Sequence, residues 1–271
     1  MLAPTAQFIR RICDNAIRPI GLMMICFCLF SCQSKPKEIH PALKQLPNTI
    51  VWAWERTEDL RWLPSDVGVA YVATSIMLTK NQADVRPRSA PLLVPPNTIT
   101  IPIVHVDVSY YHAPVLSDFQ RDTVVNQVLR IAEATNASVV QLDFEVRTSQ
   151  RAFLKEVVST IRQKLPPHRA LSITALASWC AGDYWIAEMP ADEIVPMAFR
   201  MGRDQQTIRA MLAQQPRFPR ANCQAAIGYA IDEVVAFNHD GRHYFFSPKA
   251  WTKAAWDAAQ RDFFHAPRPS L

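Results

Sequence analysis

The ten residues from Ser138 to Arg147, SVVQLDFEVR, constrain the fold more than any other stretch of the chain. On an extended backbone Val139, Gln141, Asp143, Glu145 and Arg147 fall on one face, and Val140, Leu142, Phe144 and Val146 on the other. Water on one side would explain a polar row. However, long helical patterns flank this strand in the sequence, so both faces should be covered. A polar row on a covered face fits the inside of a closed parallel barrel. Glu145 would then stand near the mouth at the carboxyl end, where such barrels carry their active sites. The alternative is that Asp143 and Glu145 are ion-paired lining residues, with Arg147 as one partner.

The rest of the chain supplies the other staves. Strands are expected at Thr49–Glu55, Val67–Met77, Thr98–Val108, Ala170–Cys180, Glu193–Met201, Gln224–Glu233 and, briefly, Tyr244–Ser247. Pro102 within the third argues for a bulge or an edge-like position. Ser117 and Gln120 form a capping box that opens a helix carrying Val124, Val128 and Ile131. Thr148 or Ser149 should cap a second helix, with Phe153, Val157, Ile161 and Leu165 on one face and Pro166-Pro167 ending it. Further helices are expected at Asp204–Gln214 and from Pro248 through Phe263. Residues 81–97 are polar and proline-rich, an excursion rather than a helix. The fold class is therefore α/β, a single (β/α)8 TIM-like barrel over residues 48–265. Its first half should be irregular, and residues 266–271 form a tail.

The N-terminus reads as an address. Arg10, Arg11 and Arg18 precede an apolar run from Ile20 to Phe30, which ends at Ser31-Cys32. Basic, then apolar, then small is the secretory pattern, and the run is shorter than the ~20 residues a membrane span needs. Leu29-Phe30-Ser31-Cys32 resembles the bacterial lipobox. That resemblance implies a lipoprotein signal peptide over 1–31, lipidation of Cys32, and a membrane partner reached through the lipid. Gln33, rather than aspartate, implies the periplasmic face of the outer membrane in the bacterial envelope. Residues 32–47 read as a tether. Three arginines and one aspartate lie within 1–31, so their removal takes the net charge from +5 to +3. That balance, with no basic stripe among aromatics, argues against a nucleic-acid partner. Cys13, Cys26 and Cys28 lie in the signal, which leaves Cys180 and Cys223. An oxidising compartment would permit them to pair, although the strand reading puts them on opposite rims. No metal-ligand spacing is present, and no cofactor is implied.

The expected strand ends gather Glu55 and Arg56, His105 and Asp107, Asp143 and Glu145, Ser178, Arg200, Asp232 and Glu233. Trp54, Tyr71, Trp179, Phe199 and Tyr229 lie among them. Carboxylates beside aromatic faces suit sugar hydrolysis: one acid protonates the leaving oxygen, a second carboxylate serves the anomeric carbon, and rings stack on pyranoses. Glu145, Asp143, Asp232 and Glu233 are the candidate catalytic groups. Glu55, Arg147, Trp54, Trp179, Arg200 and Tyr229 are the candidate substrate-binding groups, and the partner would be a glycan. His105 and His112 are single and unpaired in the sequence, and Ser178 lacks the glycines of a nucleophile elbow.

Two resemblances separate the possible partners of Glu145. Asp143-x-Glu145 resembles the end of the fourth strand of family-eighteen chitinases, with Gln141 and Ser138 where further aspartates stand in that family. This implies Glu145 as acid and Asp143 as the group that positions the substrate. Glu145 with Glu233 or Asp232 is instead similar to the retaining barrel glycosidases, which take an acid and a nucleophile from strands four and seven. More broadly, VWAWERTEDLRWLP, GVAYVATSI, LDFEVRTSQR, LSITALASWC and VPMAFRMG resemble a bacterial domain-of-unknown-function family of secreted or lipid-anchored proteins. That resemblance implies a barrel distantly similar to glycoside hydrolases and carries over no catalytic residue. Two expectations stand: an envelope glycoside hydrolase, or a non-catalytic glycan-binding or scaffold protein.

Overall fold

Val139–Phe144 is buried on both faces, as its two-sided pattern requires. In the computed structural model, which describes residues 38–233 and 239–264, it is one stave of a closed barrel. The expected signal peptide, Cys32, the start of the expected tether and the expected tail lie outside the described residues. The elements in order are α1 (Pro41–Lys44), β1 (Thr49–Ala53), β2 (Glu58–Asp59), β3 (Val67–Thr79), β4 (Gln82–Pro87), β5 (Leu92–Leu93) and β6 (Thr100–Val108). They continue with α2 (Asp118–Ala134), β7 (Val139–Phe144), α3 (Arg151–Lys164), β8 (Ala170–Leu176), α4 (Ala177–Ala181), β9 (Glu193–Met197) and α5 (Gln205–Gln214). The last are β10 (Ala226–Ala230), β11 (Arg242–Phe246) and α6 (Lys253–Phe264). Strands β1, β3, β6, β7, β8, β9, β10 and β11 pair in parallel, and β1 closes the ring by pairing with both β3 and β11.

Two apolar layers follow from the alternation along each strand. Ile50, Trp52, Ala70, Ile103, Val139, Val195, Tyr244 and Phe246 fill the inside. Val51, Val69, Val140, Leu142, Ile173, Ile227 and Phe245 face outward and pack under the helices. The capping box of α2 is present: Ser117 Oγ accepts from the Gln120 amide at 3.4 Å, and Gln120 Oε1 accepts from the Ser117 amide at 3.3 Å. Before α3 the cap differs from expectation. A 3-10 turn at Thr148–Gln150 comes first, and the Gln150 side chain accepts from the Arg147 amide at 2.9 Å.

The first half is irregular. No helix separates β1 from β3 or β3 from β6. Instead β3 runs on to pair with antiparallel β4, and β5 pairs with β2. The bulge expected near Pro102 falls in its neighbour: the register of β3 against β6 shifts between Val72 and Thr74, beside Tyr71↔Pro102. Part of the expected tether belongs to the barrel. Ala42, Leu43 and Leu46 are buried against the inner layer, and Arg242 Nη2 donates to the Leu43 carbonyl at 2.6 Å. The short α1 thus closes the amino end.

The fifth strand ends at Leu176, four residues earlier than expected, because Ala177–Ala181 turns into α4. That turn carries Cys180 off the rim to meet Cys223, with a Cα separation of 5.9 Å in a disulfide. The bond crosslinks residues 43 apart. By loop-closure entropy this is worth about 4 kcal/mol. Reduction, or Cys180→Ala with Cys223→Ala, should therefore lower the urea midpoint by an amount equivalent to about 2–4 kcal/mol. An unchanged midpoint under reductant would mean that the thiols are not joined in solution.

Candidate active site

The inward column of β7 sorts into a floor and a mouth. At the floor, Gln141 Nε2 donates to Ser172 Oγ at 2.8 Å, and Ser172 Oγ donates to Glu193 Oε2 at 2.8 Å. Tyr244 OH donates to the same carboxylate oxygen at 2.8 Å, and Arg242 pairs with the other. One level higher, Asp143 stands opposite His105 in the β6–β7 register. Asp143 Oδ1 accepts from Thr174 Oγ1 at 2.5 Å, and Oδ2 lies 2.7 Å from His105 Nδ1. His105 Nε2 lies 3.0 Å from Asp107 Oδ2.

The imidazole thus bridges two carboxylates. Burial alone would lower its pKa, but hydrogen bonds and charge from Asp107 and Asp143 outweigh it and hold the ring at about 10. At neutral pH His105 is an imidazolium that donates from both nitrogens. Asp107 is correspondingly lowered by its hydrogen bond to the ring.

Glu145 stands one residue beyond β7, open to solvent at the mouth. It makes no hydrogen bond or ion pair with any described residue. Surrounding protein, and next the Asp143 charge, raise its carboxyl to about 7, against partial relief from the His105 cation. Arg147 does not neutralise it; that guanidinium lies over the Tyr110 ring, 5.3 Å from its centroid. Arg56 is committed to buried Glu58 at 2.7 Å and to the carbonyls of Ser247 and Pro248, where β1 meets the segment after β11.

The other expected site residues divide. Trp54 lines the mouth, edge-on to His105 with centroids 5.7 Å apart. Glu55 sits on the rim, accepting from the Ser89 amide at 2.8 Å. Asp232 and Glu233 are not brought into use with Glu145. Asp232 pairs with Arg200 at 2.8 Å, while Glu233 accepts from the Arg200 amide at 3.0 Å and pairs with Arg209 at 2.7 Å. Arg200 is thereby held in left-handed backbone at φ 48°, a sparsely populated conformation for an arginine.

Trp179 and Tyr229 are corrections. Trp179 is buried on α4 against Trp185, because the chain has left the strand at Leu176. Tyr229 faces outward onto Phe245 and Phe263, because Gly228 holds the inward position on β10. A Cβ on Gly228 would meet Phe246 at 3.0 Å and Phe199 at 3.5 Å, so the glycine makes room for those two rings at the mouth. The pairing of His105 was the main feature missed. His105 and Asp107 run in phase with Asp143 and Glu145 on an adjacent strand, which is the signal that could have revealed it.

No protein-family model matches the chain, and no curated protein matches it by sequence. Among solved structures, it is similar to a Streptomyces coelicolor protein described as a candidate chitinase A. The TM-score is 0.52 and the identity 12%, over 79% of this chain and 96% of that one. A family GH18 chitinase from Chromobacterium violaceum aligns with TM-score 0.46 and 12% identity, covering 83% and 84% of the two chains. The spore cortex-lytic enzyme SleL of Bacillus cereus aligns with TM-score 0.45 and 12% identity over 68% of this chain, which spans only 50% of that enzyme. At this identity the Streptomyces coelicolor likeness shows the fold alone, a closed barrel of parallel strands with helices between them.

The His105 bridge predicts a pH dependence. Its folded pKa lies above the unfolded value of 6.5, so its stabilisation is complete below about 6.5 and is lost as pH rises through about 10. The urea midpoint should fall between pH 7 and 10, and His105→Gln should flatten that fall. Nitrogen-15 NMR of the ring should show it still protonated at pH 8; a midpoint near 6.5 would refute the bridge.

Proposed function

We propose that the protein is a glycoside hydrolase of the bacterial cell envelope, acting on an envelope or extracellular glycan at the carboxyl mouth of the barrel. The observation that carries this reading is Glu145, an unpartnered carboxyl beside Asp143 with its pKa drawn to about 7. Such a group is still protonated near neutrality and can give its proton to a leaving glycosidic oxygen. The Asp143 carboxylate, oriented by His105 and Thr174, supplies negative charge beside the cationic anomeric centre. Trp54 and Phe199, half-buried and backed by the buried Phe246 ring, give the mouth an aromatic lining on which a sugar ring can rest.

The similar solved structures described as chitinases are consistent with a glycan ligand. The reading also places the chain on a membrane through a lipid on Cys32, at the periplasmic face of the outer membrane. That part rests on the sequence of the first 33 residues. Cys32→Ala should abolish incorporation of labelled palmitate and release the protein into the soluble fraction; labelling that persists would refute the anchor.

One observation favours a second reading, a glycan-binding protein without turnover. Both oxygens of Asp143 are already engaged, and Asp232 and Glu233 are claimed by arginines. Reducing-end release from peptidoglycan, chitin, β-glucan and α-glucan decides between the two. The hydrolase reading expects release by the parent, declining above pH 7 as Glu145 loses its proton, and a loss on the order of 10²–10⁴-fold in folded Glu145→Gln. No release from any polymer would leave the binding reading. Equal release by parent and variant would remove Glu145 from the chemistry.

A further inference from the structure

Large apolar side chains are exposed unevenly over the described surface. Five of the nine most exposed, Met77, Tyr110, Tyr111, Val115 and Phe119, lie on one sector of the rim above β3 and β6. Tyr110 is 83% exposed and Tyr111 94%, on the loop that follows Asp107. Met77 stands beside Asp107 in the β3–β6 register. A monomer seldom leaves such a concentration of rings bare without a use for it.

The loop that carries the tyrosines is anchored. The Ser109 amide donates to the Leu78 carbonyl at 3.0 Å, the Lys80 amide to His112 at 3.3 Å, and the Val115 amide to Lys80 at 2.7 Å. Ser109 Oγ accepts from the His112 amide at 3.0 Å. The sector therefore rides on the extended end of β3. It is also tied to the mouth: Arg147, two residues beyond Glu145, lies over the Tyr110 ring. Arg147 takes one face of Tyr110, and the rest of that exposed ring and the Tyr111 ring are open for stacking, with the Arg147 guanidinium at hand for sugar hydroxyls.

We infer that Tyr110 and Tyr111 form a sugar-stacking platform that holds a β-linked pyranose polymer as it runs from the mouth over the β3–β6 rim. Rings with equatorial substituents present flat axial C–H faces, which suit an aromatic surface. A helical α-glucan does not lie flat along such a rim. The inference deepens the hydrolase reading and rests on it for the class of ligand.

Retention on insoluble peptidoglycan, chitin and cellulose, with starch as the α-linked control, tests it without any need for turnover. The protein is compared with Tyr110→Ala/Tyr111→Ala and Tyr110→Phe/Tyr111→Phe, each also in a Glu145→Gln background, with thermal melts to verify folding. The expected result is retention of the parent on at least one β-linked polymer, weakened about tenfold in the alanine pair and kept in the phenylalanine pair. Equal retention of parent and alanine pair would overturn the platform, as would no retention on any β-linked polymer. Loss in the phenylalanine pair as well would overturn stacking as its basis. If phospholipid vesicles, and none of the polymers, retain the parent in a tyrosine-dependent way, the sector serves a lipid surface and the inference fails. Failure of the hydrolase reading appears separately, as absence of reducing ends from the parent.

Discussion

Everything at the mouth depends on how the barrel satisfies the polar column that β7 turns inward. A buried polar group without a partner costs on the order of 1–3 kcal/mol, and a buried charge more. The Gln141 amide nitrogen and both oxygens of Asp143 are therefore answered from neighbouring strands, Gln141 Nε2 by Ser172 and Asp143 by His105 and Thr174. Glu193 completes the floor through Ser172, Tyr244 and Arg242. These bonds join β6, β7, β8, β9 and β11 across the interior. A slip of any one of these strands by one residue would turn its polar partner out under the helices. Register and site are thus set by the same contacts.

Within that frame two carboxyls two residues apart are given different environments. Asp143 has a cation on one oxygen and a hydroxyl on the other. Glu145 has neither, and at the open mouth feels the partial enclosure of surrounding protein and then the Asp143 charge instead. Two acids set in such different surroundings are what acid–base division of labour requires. The aromatic rings around them come from strand ends far apart in sequence, Trp54 after β1, Phe199 after β9 and Phe246 at the end of β11, and meet only because the ring closes.

The parts legible in the sequence were those with a strong local cause. The two-faced pattern of Ser138–Arg147, the Ser117 capping box and the Pro166-Pro167 stop each act within a few residues, and each appears in the fold. What escaped depended on where a strand stops or which way it faces. Ala177 to Cys180 continue an apolar run that extended structure would accept equally well, so α4, the burial of Trp179 and the disulfide were hidden together. Tyr229 faced the wrong way in expectation because Gly228, with no side chain, gives no sign of which face it occupies. His105 looked solitary because its partner Asp143 lies 38 residues away, and only the pairing of β6 with β7 brings them together. Residues 38–47 read as tether by composition, although Leu43 and Leu46 had a hydrophobic bed to reach.

The hairpin of β3 and β4 that carries the rim above the barrel leaves one side of β4 unpaired among the described residues. An open strand edge is a template for another copy of itself. Here that edge is short, exposes Asp84 and Arg86, and ends in Pro87, which has no amide hydrogen to offer. Charge and proline thus protect the hairpin from polymerisation, and a row of β-branched residues at those positions would invite cross-β stacking between molecules. Such stacking would cap the rim just where the chain has set its bare tyrosines.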